Sequence, residues 1–97
     1  MRSSIPEFDI DSLPSEVMNG RSSYWIQVKH IYPNGRSELW GCGVYVKHEF
    51  SGGYYHYLQL RREKVLYKVY VGTAGKISKD DLLTAIRKLQ TRLSRAK

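Results

Sequence analysis

The sequence predicts an α+β domain in which an antiparallel β-meander of four strands carries one C-terminal helix on one of its faces. Apolar and polar side chains alternate in four runs, which is typical of strands with one buried face. Turn-forming residues separate the runs, and after Ser78 leucine and isoleucine recur at helical spacing. The predicted strands cover residues 24–31, 37–50, 54–61 and 64–71, and the predicted helix covers residues 79–94.

The first hairpin is predicted to close through a three-residue loop, Pro33-Asn34-Gly35. Glycine suits the left-handed third position of such a loop, and Tyr32 then pairs with Arg36. A two-residue Asn-Gly loop would instead place Ile26 and Val28 opposite glycines, so the pattern of faces favours the longer loop. The predicted pairs are Tyr24–Val44, Ile26–Cys42 and Val28–Trp40.

The second hairpin has two adjacent glycines in its turn. A loop at Ser51-Gly52-Gly53 would pair Phe50 with Tyr54 and place Val46 opposite Leu58. Both members of the second pair are apolar, so this register again keeps one face of the sheet apolar.

The third turn is predicted at Arg62-Glu63, which places Leu60 opposite Val65. In these registers the odd-numbered side chains of residues 45–61 point away from the helix, and the even-numbered ones lie beneath it. We refer to the side of the sheet away from the helix as the outer face.

The predicted helix begins after Ser78, which is a good N-cap. Asp81 stands where the acid of a capping box is found, although Glu is more usual there. An apolar stripe is expected to cover the sheet, and its members are Leu82, Ile86, Leu89 and Leu93.

The net charge of +7 is unevenly distributed along the 97 residues. Residues 1–20 hold one basic and four acidic residues, which gives −3, whereas residues 21–97 hold fifteen basic and five acidic residues, which gives +10. A basic domain of this size indicates an anionic partner, most often nucleic acid. The alternative is a protein that is basic without such a partner.

Residues 1–22 are predicted to form an acidic tail, disordered or loosely docked, ahead of a single domain at residues 23–97. Prolines, serines and asparagine interrupt this segment, and its apolar residues have no regular spacing. Two alternatives are that the tail carries a short interaction motif, and that it folds over the basic face as a cover.

Several classes of function are not expected. No apolar run approaches the roughly 18–20 residues of a membrane span. No signal peptide or disulfide is indicated either. An intracellular location is therefore predicted, either cytoplasmic or nucleoid-associated. No catalytic constellation stands out, so we expect neither an enzyme nor a cofactor. His48 and His56 lie opposite each other in the predicted register, but zinc needs three or four ligands, so no metal is expected.

Basic, amide and tyrosine side chains interleave on the outer face, where Lys47, Tyr57 and Lys68 are predicted to form one cross-strand row. Lysine and arginine bind phosphates, glutamine binds base edges and tyrosine stacks on bases. The same residue types are also common on exposed strands and in protein interfaces. The candidate nucleic-acid contacts are Tyr45, Lys47, Tyr55, Tyr57, Gln59, Arg61, Lys64 and Lys68 on the sheet and Arg87, Lys88 and Arg95 on the helix.

Half of the chain resembles the β-meander-plus-helix DNA-binding domains of the plant ethylene-response-factor type and the arm-binding domain of tyrosine recombinases. The segments that carry the resemblance are Gly43-Val44-Tyr45, Tyr57-Leu58-Gln59-Leu60, Val71-Gly72-Thr73 and Asp81-Leu82-Leu83-Thr84-Ala85-Ile86. The resemblance implies an outer face inserted into the DNA major groove. The arginine-rich first strand and the middle-strand tryptophan of that family are missing here.

The sequence therefore predicts a small, non-enzymatic nucleic-acid-binding protein, with DNA favoured over RNA. The contacts would come from the outer face and the basic C-terminal helix. The alternative is a protein-interaction or dimerisation module, such as a phage- or plasmid-type accessory protein, that uses the tyrosine-rich face.

Overall fold

The computed structural model describes the backbone of residues 5–95 and the side chains of residues 5–94, and it has the predicted α+β class. One helix packs on one face of a five-stranded sheet. The elements in chain order are β1 (Glu7–Asp9), a 3-10 turn (Ile10–Ser12), α1 (Ser15–Met18), β2 (Tyr24–Ile31), β3 (Ser37–His48), β4 (Tyr54–Arg62), β5 (Val65–Thr73) and α2 (Lys79–Arg95).

The sheet is mixed, and the prediction of four antiparallel strands was wrong in this respect. Its strand order is β1-β2-β3-β4-β5, with β1 parallel to β2 and the other pairs antiparallel. The backbone N–H of Trp25 donates to the Pro6 carbonyl at 2.8 Å. Phe8 lies opposite Ile26, and the Phe8 ring meets the Tyr24 ring edge-on. Because β1 has only three residues, it is too short to show an alternating pattern in the sequence.

Residues 5–22 are folded onto the domain, which contradicts the prediction of a disordered tail for the described part of this segment. Leu13 and Met18 are buried in the core. The Asn19 side chain accepts hydrogen bonds from the backbone N–H groups of Gly75 and Ile77 at 2.9 and 2.7 Å, and it donates to the Ile77 carbonyl at 3.0 Å. The segment is thereby attached to the connector between β5 and α2.

The first hairpin has the predicted loop, and the second repeats its geometry. The Tyr32 N–H donates to Arg36 across the first loop, and the Glu49 N–H donates to Gly53 across the second. Each loop has a glycine with positive φ in its third position, Gly35 at 90° and Gly52 at 88°. The second loop is therefore Phe50-Ser51-Gly52, one residue earlier than predicted.

The earlier loop changes the register between β3 and β4 by two residues. Val46 lies opposite His56, and Val44 lies opposite Leu58. Because side chains alternate with a period of two, this shift changes the partners but leaves every side chain on its predicted face.

The third turn lies at Glu63-Lys64, one residue later than predicted, and both residues have positive φ, at 50° and 70°. These angles resemble the two-residue turn that matches the twist of a β-hairpin. Arg62 pairs with Val65, so Leu60 lies opposite Tyr67 instead of Val65.

Helix α2 packs on the face of the sheet that carries the even-numbered side chains of β3 and β4, as predicted. Leu82 and Leu89 are fully buried in the same core cluster as Val44 and Leu58. The capping box forms reciprocally, because the Ser78 N–H donates to the Asp81 carboxylate at 2.9 Å and the Asp81 N–H donates to the Ser78 hydroxyl at 3.3 Å. The outer face is thus left free of the helix.

Candidate nucleic-acid interface

Three tyrosines form a cross-strand row at the centre of the outer face. Tyr45, Tyr57 and Tyr70 lie opposite one another on β3, β4 and β5. The rings of Tyr45 and Tyr57 are stacked with centroids 5.4 Å apart, and Tyr70 meets Tyr57 edge-on at 5.5 Å. The predicted row of Lys47, Tyr57 and Lys68 was wrong, because the register is shifted by two residues.

Basic groups border the tyrosine row on both sides. The Lys68 ammonium lies 4.9 Å from the centre of the Tyr45 ring. Lys47 lies opposite Tyr55 and forms an exposed ion pair with Glu49 at 3.2 Å, and this hydrogen bond raises the pKa of Lys47. Such an exposed pair contributes little stability, so Lys47 can exchange its partner for a phosphate at small cost.

A second row crosses the outer face next to the tyrosines. Trp25, Gly43, Gln59 and Lys68 lie opposite one another on β2 to β5. Trp25 was not among the predicted contact residues. The predicted first hairpin already placed it opposite Gly43 on the outer face, so its position could have been found from the sequence.

The basic helix residues do not join this surface. Arg87 and Lys88 are exposed on α2, while Ile86 and Leu89 beside them are buried against the sheet. They therefore point away from the outer face, and the predicted contact set divides between opposite sides of the molecule. The side chain of Arg95, the third predicted helix contact, lies outside the described residues.

The remaining predicted sheet contacts lie at the β4–β5 end of the outer face. Arg61 and Lys64 are exposed. Arg92, which the sequence did not single out, donates to the Lys68 carbonyl at 2.6 Å and covers part of the free edge of β5. At the opposite edge, Glu7 and Asp9 lie next to Trp25 and Gln27 in the register of β1 with β2. The outer face is therefore basic toward β5 and acidic toward β1.

A groove of about 670 Å³ lies on the helix side, where the two long hairpins separate. Strand β3 pairs with β4 only from Gly43 to His48. The pairing of β2 with β3 continues to Ser37, and the pairing of β4 with β5 continues to Val65. The groove is lined by residues from both hairpins and α2, among them His30, Tyr32, Trp40, Arg62, Tyr67 and Gln90.

Glu38 joins the two hairpins at this groove. Its Oε1 accepts hydrogen bonds from the Tyr32 hydroxyl at 2.8 Å, the Trp40 indole N–H at 2.7 Å and the Arg62 guanidinium at 3.2 Å. The bonds from Trp40, Tyr32 and Arg62 lower the pKa of Glu38 to about 2. Glu38 is consequently ionised at neutral pH, and we assign it a structural role.

The histidines occupy separate places. His48 stacks on Tyr54, with which it is paired, so the predicted pairing of His48 with His56 was wrong. His56 is fully buried, its Nε2 lies 2.8 Å from the Gly20 carbonyl, and burial lowers its pKa. Among residues 5–94, no group of three or more His, Cys, Asp or Glu side chains has an arrangement that could hold a metal ion.

Comparisons with known proteins found no relative of this chain. No protein-family model, curated protein or solved structure matches the chain. Within the described part of the chain, no helix has the length and apolar character required to cross a membrane. The resemblance to the two classes of DNA-binding domain stays a prediction.

Proposed function

We propose that this protein binds nucleic acid through the outer face of its sheet, with single-stranded DNA as its preferred form. The observation that supports this best is the tyrosine row, Tyr45, Tyr57 and Tyr70, with Lys47 and Lys68 on its two sides. Aromatic rings that stack on bases, combined with a basic surface that follows phosphates, are the two components of single-strand binding.

The width of the sheet favours an unpaired strand over a duplex. Five strands at a spacing of about 4.8 Å make a surface roughly 19 Å wide. The major groove of B-DNA is about 12 Å wide and admits a helix or a two-stranded ribbon. The whole sheet does not fit into this groove, and tyrosines at its centre have access to bases only when the bases are unpaired.

Electrostatics give an expected salt dependence. If Lys47, Arg61 and Lys68 each neutralise one phosphate, the slope of log affinity against log salt is about −2 for a single strand. Raising the salt concentration from about 50 to 200 mM would then weaken binding by roughly 20-fold.

The test is a titration of the full chain with an oligothymidylate of about 12 nucleotides and with a duplex of equal length, each at the two salt concentrations. We expect salt-sensitive binding of both, with the single strand bound more tightly. Failure to bind either form at low micromolar protein and low salt would refute the proposal. Tighter binding of the duplex would refute the preference for an unpaired strand.

A protein-interaction module is the second candidate, and exposed apolar side chains on the same face favour it. Leu39 is 67% exposed and Leu66 is 42% exposed. A second copy that covers this face would bury them together with the tyrosines. Sedimentation over a range of protein concentrations tests this self-association: a shift to dimer that Tyr57→Ala abolishes would support it, and a monomer throughout would contradict dimerisation through this face.

A further inference from the structure

The two tryptophans of the chain have different environments. Trp40 is 5% exposed and donates its indole N–H to Glu38, whereas Trp25 is 40% exposed on the outer face. Burial and a satisfied hydrogen bond account for Trp40 as a core residue. Neither accounts for Trp25, so its position on the outer face needs another explanation.

Gly43 allows the Trp25 ring to lie over the neighbouring strand. A β-carbon at Gly43 would be 3.3 Å from Cζ3 of the indole and 3.6 Å from both Cε3 and Cη2. These nearly equal distances mean that the ring covers the glycine, with one side against β3. Its other side is left toward solvent, which is the arrangement that base stacking requires.

The groups along this row are ordered by charge. Glu7 on β1 lies opposite Trp25, while Gln59 and Lys68 follow on β4 and β5 beyond Gly43. An acid, an aromatic ring, an amide and a lysine therefore succeed one another across the sheet, with about 4.8 Å between neighbouring strands and about twice that between Trp25 and Gln59. The Lys68 side chain reaches from β5 back toward the Tyr45 ring, 4.9 Å from its ammonium group. This order would repel a phosphate from the indole end and attract it to the Lys68 end.

We propose that Trp25, Gln59 and Lys68 form a subsite for one unpaired nucleotide. The indole stacks on the base, the amide of Gln59 hydrogen-bonds to the base edge, and the Lys68 ammonium contacts the phosphate. The subsite rests on the proposed binding of single strands by the outer face, and it adds a residue and an orientation that the tyrosine row does not supply.

The experiment compares two strands that have the same phosphates. One is an oligothymidylate of about 12 nucleotides, and the other is an abasic strand of equal length, which has no base to stack. Both are titrated into the wild-type chain and into Trp25→Ala. The thymidylate should bind Trp25→Ala about 5- to 150-fold more weakly than wild type, whereas the abasic strand should bind both proteins equally.

Tryptophan fluorescence provides a second measurement. Saturation with the thymidylate should quench the wild-type tryptophan emission, and Trp25→Phe, which keeps Trp40 as its single tryptophan, should lose this response. Gly43→Val should displace the indole without removing it and weaken the binding of the thymidylate alone. Circular dichroism checks that each variant is folded.

The outcomes separate the subsite from the general function. If Trp25→Ala binds the thymidylate as well as the wild type does, and the salt-sensitive binding is retained, the subsite is wrong and the proposed function stands. If Trp25→Ala loses affinity equally for both strands, Trp25 acts through the structure of the sheet and the subsite is also wrong. Absence of binding of the thymidylate by the wild type would overturn both proposals.

Discussion

Glu38 shows how one residue can hold two hairpins together. Tyr32 and Trp40, on the first long hairpin, and Arg62, on the second, all donate to the same carboxylate oxygen of Glu38. The guanidinium of Arg62 also lies over the Trp40 ring at 5.3 Å. The negative charge of Glu38 therefore stabilises the point at which the hairpins separate, and the strength of this contact should depend on pH.

Replacing Glu38 by Gln should lower the free energy of unfolding at pH 7, because the charge that strengthens these hydrogen bonds is lost. The folded-state pKa of Glu38 is lowered from 4.5 to about 2, so its stabilisation is complete above 4.5 and is lost as the pH falls toward 2. Urea unfolding from pH 7 to pH 2 should show the wild type and Glu38→Gln converging over this range. A difference that stays constant with pH would contradict the assignment, and Glu16→Gln on the exposed surface is the control.

These contacts could be predicted only in part. Strand alternation places Glu38 on the inner face together with Trp40, and an acid on an apolar face is an unusual feature that can be recognised in a sequence. Its third partner, Arg62, is 24 residues away on the other long hairpin, beyond the last pair of β3 with β4 at Gly43. No local pattern in the sequence encodes this contact.

At the scale of elements, the face of the sheet on which a side chain lies was easier to predict than the register in which two strands pair. The alternation of β3 and β4 fixes which side chains point outward, and this part was confirmed. The register depends on which glycine closes a loop, and the second hairpin has both Gly52 and Gly53 available. Both choices keep the faces, so the apolar pattern that selected the loop of the first hairpin could not select that of the second.

The third turn offers a way to increase stability. Glu63 and Lys64 both have positive φ, which costs non-glycine residues roughly 1–2 kcal/mol each. Asn-Gly is the sequence preferred in such turns. The double change Glu63→Asn, Lys64→Gly should therefore raise the free energy of unfolding by about 1–2 kcal/mol in denaturant titrations. Lys64→Ala removes the same lysine but keeps the strain, so it should have little effect; an equal gain from it would refute this explanation.

The side chain of Asn19 joins the N-terminal segment to the connector between β5 and α2. Asn19 makes three hydrogen bonds to the backbone of Gly75 and Ile77, and Ile77 is buried. Asn19→Ala leaves these groups without partners and should lower the free energy of unfolding by about 2–3 kcal/mol. In Asn34→Ala, an exposed turn residue loses its single bond from the Arg36 N–H, and the loss should be about 0.5–1 kcal/mol. If thermal unfolding shows that Asn19→Ala and Asn34→Ala lose the same free energy of unfolding, Asn19 does not fix the segment.

At the scale of the whole molecule, charge has a direction that composition alone does not give. The acidic residues Glu7 and Asp9 lie at the β1 edge of the outer face, and Lys68 lies toward β5. Arg87 and Lys88 point away from this face on α2. A net charge of +7 could be read from the sequence, but its division between two sides depends on how the helix packs.

This division provides the matched test of the outer face. Lys47→Glu with Lys68→Glu and Arg87→Glu with Lys88→Glu change the net charge equally, but on opposite sides of the molecule. The first pair should weaken the binding of oligothymidylate by more than about tenfold at 50 mM salt and reduce the steepness of the salt slope from about −2 to about −0.7, because two of three phosphate contacts are lost. The second pair should change affinity by only about two- to threefold, because exposed charges farther away than the Debye length are largely screened.

Circular dichroism should show both variants folded. Equal losses of affinity would mean that overall charge, and not the outer face, determines binding.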